Sequence, residues 1–140
     1  MNVIDLIKFH EGYKQHVYLC SENVATIGYG HVVANCGPGL SKTQAERILL
    51  EDLQECYEDL ERDCVYVRQN DVRKAVLLDM RFNLGYAGLK RFKKFRAALI
   101  VDNFELAANE MLDSRWARQV KTRAVRLSHM VRSGEWPKAL

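Results

Sequence analysis

The sequence predicts an α+β fold that is mainly helical, with a small β-hairpin lobe and a larger helical lobe joined by one long helix. Three observations predict it. β-Forming residues, and the glycines that break them, cluster at residues 16–33. A capping box, Ser41-Lys42-Thr43-Gln44, opens an apolar stripe that continues to about residue 62. From about residue 65 to the end, apolar positions recur at helical spacing.

Residues 3–11 read as a short helix. Asn2 is its N-cap, Asp5 suits the positive end of the dipole, and Gly12 stops it. Val17, Tyr18, Val24, Thr26, Ile27, Tyr29, Val32 and Val33 supply the strands, with Ser21-Glu22-Asn23 as a turn. Gly28 and Gly30 interrupt the second run, which signals a bend or a close backbone approach. Asn35-Cys36-Gly37-Pro38-Gly39 ends the lobe. The long helix then places Ala45, Ile48, Leu49, Leu53, Cys56 and Leu60 on one stripe. Asp52 shares that stripe. An inward carboxylate needs a partner there, unless it sits at the stripe's edge and reaches water.

A further helix spans 71–84, with Val72, Val76, Leu77, Met80 and Leu84 inward and Gly85 as its stop. It is apolar around most of its circumference, as a central bundle helix would be. Residues 91–101, 104–112 and 123–132 read as three more helices, the last ended by Gly134. The expected organisation is a single domain over 1–140. It comprises a small lobe at 12–40, a connecting helix at 41–62 and a helical lobe at 65–140, with helix 3–11 packed on the last.

Composition excludes several classes. Apolar residues at 48% and charged residues at 28% are those of an ordinary globular domain. Two prolines and eight glycines exclude a disordered linker or a collagen-like rod. No apolar run approaches the ~18 residues of a membrane span. The start lacks a basic n-region, an apolar h-region and a small-residue cleavage site, so synthesis in a cytoplasm is expected.

The net charge of +3 is unevenly spread. The first 70 residues hold six Lys and Arg against eleven Asp and Glu, the last 70 hold fifteen against seven. A basic half attracts a polyanion such as nucleic acid or an anionic cell wall; the plainer reading is solvated helix faces. Cysteines stand at 20, 36, 56 and 64, with no C-x-x-C pair. Cys20, His31 and Cys36 match no common metal-site spacing, and no metal or cofactor is expected. Cys56 and Cys64 read as small buried or half-buried residues.

One carboxylate is placed for acid chemistry. Glu11 closes the first helix, where the negative end of the dipole disfavours ionisation, as does partial burial. A general acid at neutral pH needs that. Many helices end in a surface Glu, so the surrounding pattern has to make the case. Eight residues separate Glu11 from Cys20 and five separate Cys20 from Thr26, which is followed by Ile27-Gly28-Tyr29-Gly30-His31.

This pattern resembles the lysozyme family of the T-even phages, glycoside hydrolase family 24, whose hallmark is Glu, eight residues, Asp or Cys, five residues, Thr. Glu11-Gly12, Tyr18, Thr26-Ile27-Gly28 and Gly30-His31 fall where that family has them. So do Phe82-Asn83-Leu84-Gly85, Ser114-Arg115-Trp116, Arg123-Ala124, Arg126, Ser133-Gly134 and Trp136. The resemblance covers nearly the whole chain. It departs in the connection between His31 and Ser41, nine residues here and much longer in the T-even enzyme.

The resemblance implies a lysozyme-like fold and hydrolysis of the β-1,4 bond between N-acetylmuramic acid and N-acetylglucosamine in peptidoglycan. Glu11 would protonate the leaving oxygen, and residue 20 would help a water held by Thr26 to attack the opposite sugar face. That is inverting chemistry, for which paired carboxylates stand roughly 6.5–9.5 Å apart. Here residue 20 is Cys, and a free thiol of pKa ~8.5 is mostly un-ionised at pH 7. Base, nucleophile and water-positioning roles all stay open for Cys20, beside that of an inert strand cysteine.

The resemblance also pairs His31 with Asp52 and brings Arg123 to Glu11, where its cation opposes the helix dipole. It places Tyr29 and Gly30 on one side of a sugar cleft and Met80, Phe82 and Asn83 on the other. The competing reading of Met80 and Phe82 is helix core. The implied role is phage-driven lysis of the host wall, by a monomer that leaves the cytoplasm through a membrane hole made by another protein. Two alternatives remain: a lysozyme-like murein binder without activity, and a basic helical nucleic-acid-binding protein. The second draws on Lys90-Arg91-Phe92-Lys93-Lys94-Phe95-Arg96, but leaves Glu11, Thr26 and the glycine-rich hairpin without a purpose.

Overall fold

The structure, a computed structural model, describes residues 1–19, 25–32, 39 and 41–140; for residues 14–19, 25, 26 and 32 it describes the backbone alone. The elements run α1 (Val3–Glu11), β1 (Lys14–Leu19), β2 (Ala25–Gly28), β3 (His31–Val32), α2 (Lys42–Leu60), α3 (Cys64–Val67), α4 (Asp71–Lys90), α5 (Lys93–Ile100), α6 (Phe104–Leu112), α7 (Arg115–Val120) and α8 (Thr122–Ser133). The fold is α+β and mainly helical. The turn expected at 21–23, and residues 35–38 of the segment expected to close the β lobe, lie outside the described residues.

Helix α1 begins where Asn2 Oδ1 accepts the Asp5 N–H at 3.0 Å, which satisfies one orphan donor of the first turn. It buries Leu6 and Ile7 and stops at Gly12, whose φ of 65° and ψ of 156° suit glycine best. The chain then turns into an antiparallel sheet of order β1-β2-β3. Tyr18 pairs with Thr26, and Thr26 with Val32.

Helix α2 opens with both halves of its capping box, at 3.2 Å and 2.9 Å. It buries Ala45, Leu49, Leu53, Cys56 and Leu60. Each leucine so buried contributes roughly 1.5–3 kcal/mol. Arg81 of α4 donates to Asp59 of α2 at 2.8 Å and ties the two helices on their outer edge.

Helix α4 is the central one, with Val76, Leu77, Leu78, Asp79 and Met80 all buried. Its regular part ends at Gly85, which is non-helical (φ 75°, ψ 163°), and a further helical stretch then runs to Lys90. The bundle closes around Phe95, Leu99, Met111 and Leu127. Helix α8 ends at Gly134 in the left-handed conformation, as a C-terminal glycine stop requires.

Two short helices were not expected from the sequence. Asp63 caps α3 by accepting from the N–H groups of Val65 and Tyr66, and Ser114 caps α7 by accepting from Ala117. Cys56 is buried, whereas Cys64 is exposed, against the expectation of at least partial burial. No described helix is long and apolar enough to cross a membrane.

Candidate active site

The site forms where the C-terminal end of α1 meets the hairpin, and the side chains of Arg123 and Arg126 reach it from α8. Glu11 is the last residue of α1 and is partly buried. Gly30 lies directly against its carboxylate: a Cβ built on Gly30 would stand 2.9 Å from Glu11 Cδ. A Cβ there would force the Glu11 carboxylate to shift, and Gly30 also has φ +72°, which favours glycine. The glycine interruption in the strand therefore marks a close backbone approach to Glu11.

Arg123 reaches Glu11 from α8. Its Nη1 donates to Glu11 Oε1 at 3.0 Å, and its Nε donates to Asp79 Oδ1 at 2.9 Å. Nη2 is buried without a hydrogen-bond partner among the described residues. Burial by itself pulls the Arg123 guanidinium down, but the Asp79 and Glu11 carboxylates outweigh it and hold its pKa above the ordinary arginine value.

Asp79 was not singled out from the sequence, and it is the most enclosed carboxylate of the site, with no exposed side-chain surface. Its other oxygen lies 2.6 Å from Nδ1 of His10, which is itself 2% exposed. Arg126 Nη1 lies 3.0 Å from His10 Nε2. A guanidinium only donates, so Nε2 accepts, and the proton of His10 is on Nδ1, donated to Asp79. A signal was present: Asp79 falls on the apolar stripe of α4, three residues after Val76, much as Asp52 falls on that of α2.

His31 Nδ1 lies 2.8 Å from Asp52 Oδ2, and this pair joins β3 to α2. Both side chains are partly exposed. Beside them Gly30, His31, Asp52, Glu55, Arg81 and Phe82 line a concavity of about 250 Å³, floored by Cys56. Phe82 and Gly30 thus line the same concavity at the joint between hairpin and helices. Asn83 is exposed, and its Oδ1 accepts the Trp116 indole N–H at 2.7 Å.

Two expected cleft residues are placed differently. Met80 has no exposed surface and belongs to the core. It follows Asp79 on the inward side of α4, where the bundle needs an apolar filler. Tyr29 is also buried, its ring tilted against Tyr13 at 5.7 Å with the Lys8 ammonium 5.5 Å from its centroid. Both of its neighbours fix the hairpin to α1. Cys20 lies outside the described residues, and Thr26 is described only through its backbone in β2.

Chemically, the described part offers one carboxylate held against a backbone wall by a buried cation, next to a concavity between two layers. Comparison with known proteins places the chain in a family. The profile of the family "Phage lysozyme" matches residues 8–132. The chain is 26% identical to the pre-baseplate central spike protein Gp5 of Enterobacteria phage T4, over 96% of this chain but only 28% of that protein. It is 22% identical to probable T4-type lysozyme 1 of Dictyostelium discoideum, over 95% of both chains. Probable T4-type lysozyme 2 of the same organism is 23% identical over 93% of both. The profile match covers most of the chain, and the chain belongs to the phage lysozyme family.

Proposed function

We propose that the chain is a muramidase: a single lysozyme-like domain over residues 1–140 that hydrolyses the β-1,4 bond between N-acetylmuramic acid and N-acetylglucosamine of peptidoglycan. The observation that carries this reading is the Glu11 carboxylate, held at 3.0 Å by Arg123 and pressed against Gly30. Glu11 is the general acid. It gives its proton to the glycosidic oxygen as the C1–O bond breaks, so that the leaving sugar departs as a neutral alcohol. Water attacks C1 from the opposite face, and its proton passes to the group at residue 20. Thr26 holds that water.

Cys20 acts in this scheme as a base, its thiolate taking that proton, or as a water-positioning group, the proton then passing to solvent, and inversion is the expected stereochemistry. Phe82 and Asn83 bind sugar on the helical side and Gly30 binds it on the hairpin side, while the His31–Asp52 pair fixes the hairpin to α2. Neither a metal nor a cofactor has a part in the scheme. Lysis of a host cell wall is the role that fits, with membrane passage supplied by a separate protein.

The test is product analysis on purified peptidoglycan. The reading expects new reducing ends on N-acetylmuramic acid, formed first as the α-anomer. First-formed β-anomer would mean a covalent intermediate and would replace water activation by direct attack. New reducing ends on N-acetylglucosamine, or none, would overturn the assignment. Cys20→Asp should keep activity and Cys20→Ser should lose most of it, because only the first supplies an anion at neutral pH. Full rates in both Cys20→Ser and Cys20→Ala would leave Cys20 without a chemical role.

A further inference from the structure

Arg123 divides its guanidinium between two carboxylates, the partly buried Glu11 and the fully buried Asp79. We propose that Asp79 is a positioning residue for the acid: it aims Arg123 at Glu11 and takes up part of its charge, while His10 and Arg126 hold Asp79 in place. The inference rests on Glu11 being the general acid.

The geometry requires each member. Nε and Nη1 of Arg123 point to different carboxylates, so the contact to Asp79 fixes the plane in which Nη1 meets Glu11. A buried carboxylate needs both of its oxygens satisfied, and His10 supplies the second donor from the residue next to Glu11. Arg126 fixes the His10 tautomer by donating to Nε2. The row Arg126, His10, Asp79, Arg123, Glu11 thus runs from α8 through α1 and α4 back to α8 and α1.

The charge balance follows. An unshared arginine at 3.0 Å would favour the ionised form of Glu11 and remove the proton the reaction needs. Asp79 offsets that cation, and it does so where water cannot screen it. The charged and titratable described groups facing this row are His10 and Glu11 on α1, Asp79 on α4, and Arg123 and Arg126 on α8. The His31–Asp52 pair follows Gly30 on the hairpin side.

The experiment is the pH dependence of kcat/KM on peptidoglycan, whose alkaline limb reports loss of the acid's proton. In Asp79→Asn the limb should move to lower pH by about one unit, less than the effect of a directly contacting charge. Two double variants guard against misfolding of the single one. His10→Asp with Asp79→Asn keeps one carboxylate in the row, whereas His10→Asn with Asp79→Asn keeps none. The two are close in size and hydrogen bonding and differ by one charge. The charged pair should retain the wild-type limb, and the neutral pair should lie about one unit lower. Equal limbs in the two double variants, or an unmoved limb in folded Asp79→Asn, would reduce Asp79 to a purely structural role. Glu11→Gln separates the layers: if it is inactive while the limbs coincide, only this inference fails, and if it is fully active, the assignment of Glu11 fails first.

Discussion

Gly30 and Glu11 are in such close contact that a Cβ on the glycine would stand 2.5 Å from Glu11 Oε2. The hairpin backbone is therefore one wall of the space that holds the Glu11 carboxylate. Gly30→Ala adds a collision to the strain of a positive φ. It should cost roughly 1–3 kcal/mol of stability and lower kcat with it. Urea denaturation of Gly30→Ala measures this, and a loss well below about 1 kcal/mol would mean that Glu11 simply moves aside.

The His31–Asp52 pair should show coupling. Because both side chains are partly exposed, the expected coupling between His31→Asn and Asp52→Asn is about 1 kcal/mol, with the double variant costing less than the two singles together. A double-mutant cycle in urea reads this directly. Additive effects would mean that the contact contributes nothing to the joint between hairpin and α2.

Asp63 predicts a pH window for stability. It caps α3, accepts from Tyr86 at 2.7 Å and pairs with Arg96 at 2.9 Å. Burial alone would push its carboxyl up, but those hydrogen bonds and the Arg96 charge hold it below its ordinary value of 3.8. A folded pKa below the unfolded one stabilises fully above the unfolded value and is lost as pH falls through the folded value. Asp63→Asn should therefore destabilise by roughly 2–4 kcal/mol at pH 7 and by progressively less below about pH 4. Thermal melts from pH 2 to 7 check this, and a deficit independent of pH would contradict it.

The basic segment at 90–96 divides in two. Arg96 is committed to Asp63, whereas Arg91, Lys93 and Lys94 are exposed around the groove that also holds Phe92 and Trp116. Replacing those three by Gln should weaken association with an anionic cell wall at low salt and matter little near 1 M, where the Debye length is ~3 Å. A pelleting assay across salt concentrations measures it. A loss that persists at high salt would indicate damage to the α5 packing instead.

Most element boundaries were legible because the sequence marks them locally. Asn2, the Ser41–Gln44 box and Gly134 each satisfy or free specific backbone groups, and the structure uses all of them. Gly85 breaks the helix, as its place after Leu84 predicts, but the chain resumes helical turns after it. Helices α3 and α7 escaped because four and six residues are too few for periodicity to register, although their caps Asp63 and Ser114 were in plain view. Residues 21–23 and Cys20 fall outside the described part.

The site was legible to the extent that polar residues interrupt apolar stripes. Asp52 did so on an amphipathic helix and suggested a partner. Asp79 did so on a helix apolar nearly all round, where periodicity separates an inward carboxylate from a tolerated one poorly. Met80, next to it, shows the converse: its apolar side chain suits a cleft or a core equally, and burial alone decides for the core.

The most direct test of the account is the lytic rate of Glu11→Gln on outer-membrane-permeabilised Gram-negative cells. The amide keeps the side chain's shape and an oxygen for Arg123 Nη1, but it has no proton to give to a leaving sugar. The account predicts a loss of about 100- to 10,000-fold at an unchanged fold, verified by circular dichroism and thermal melting. A folded Glu11→Gln that clears cells at close to the wild-type rate would contradict it.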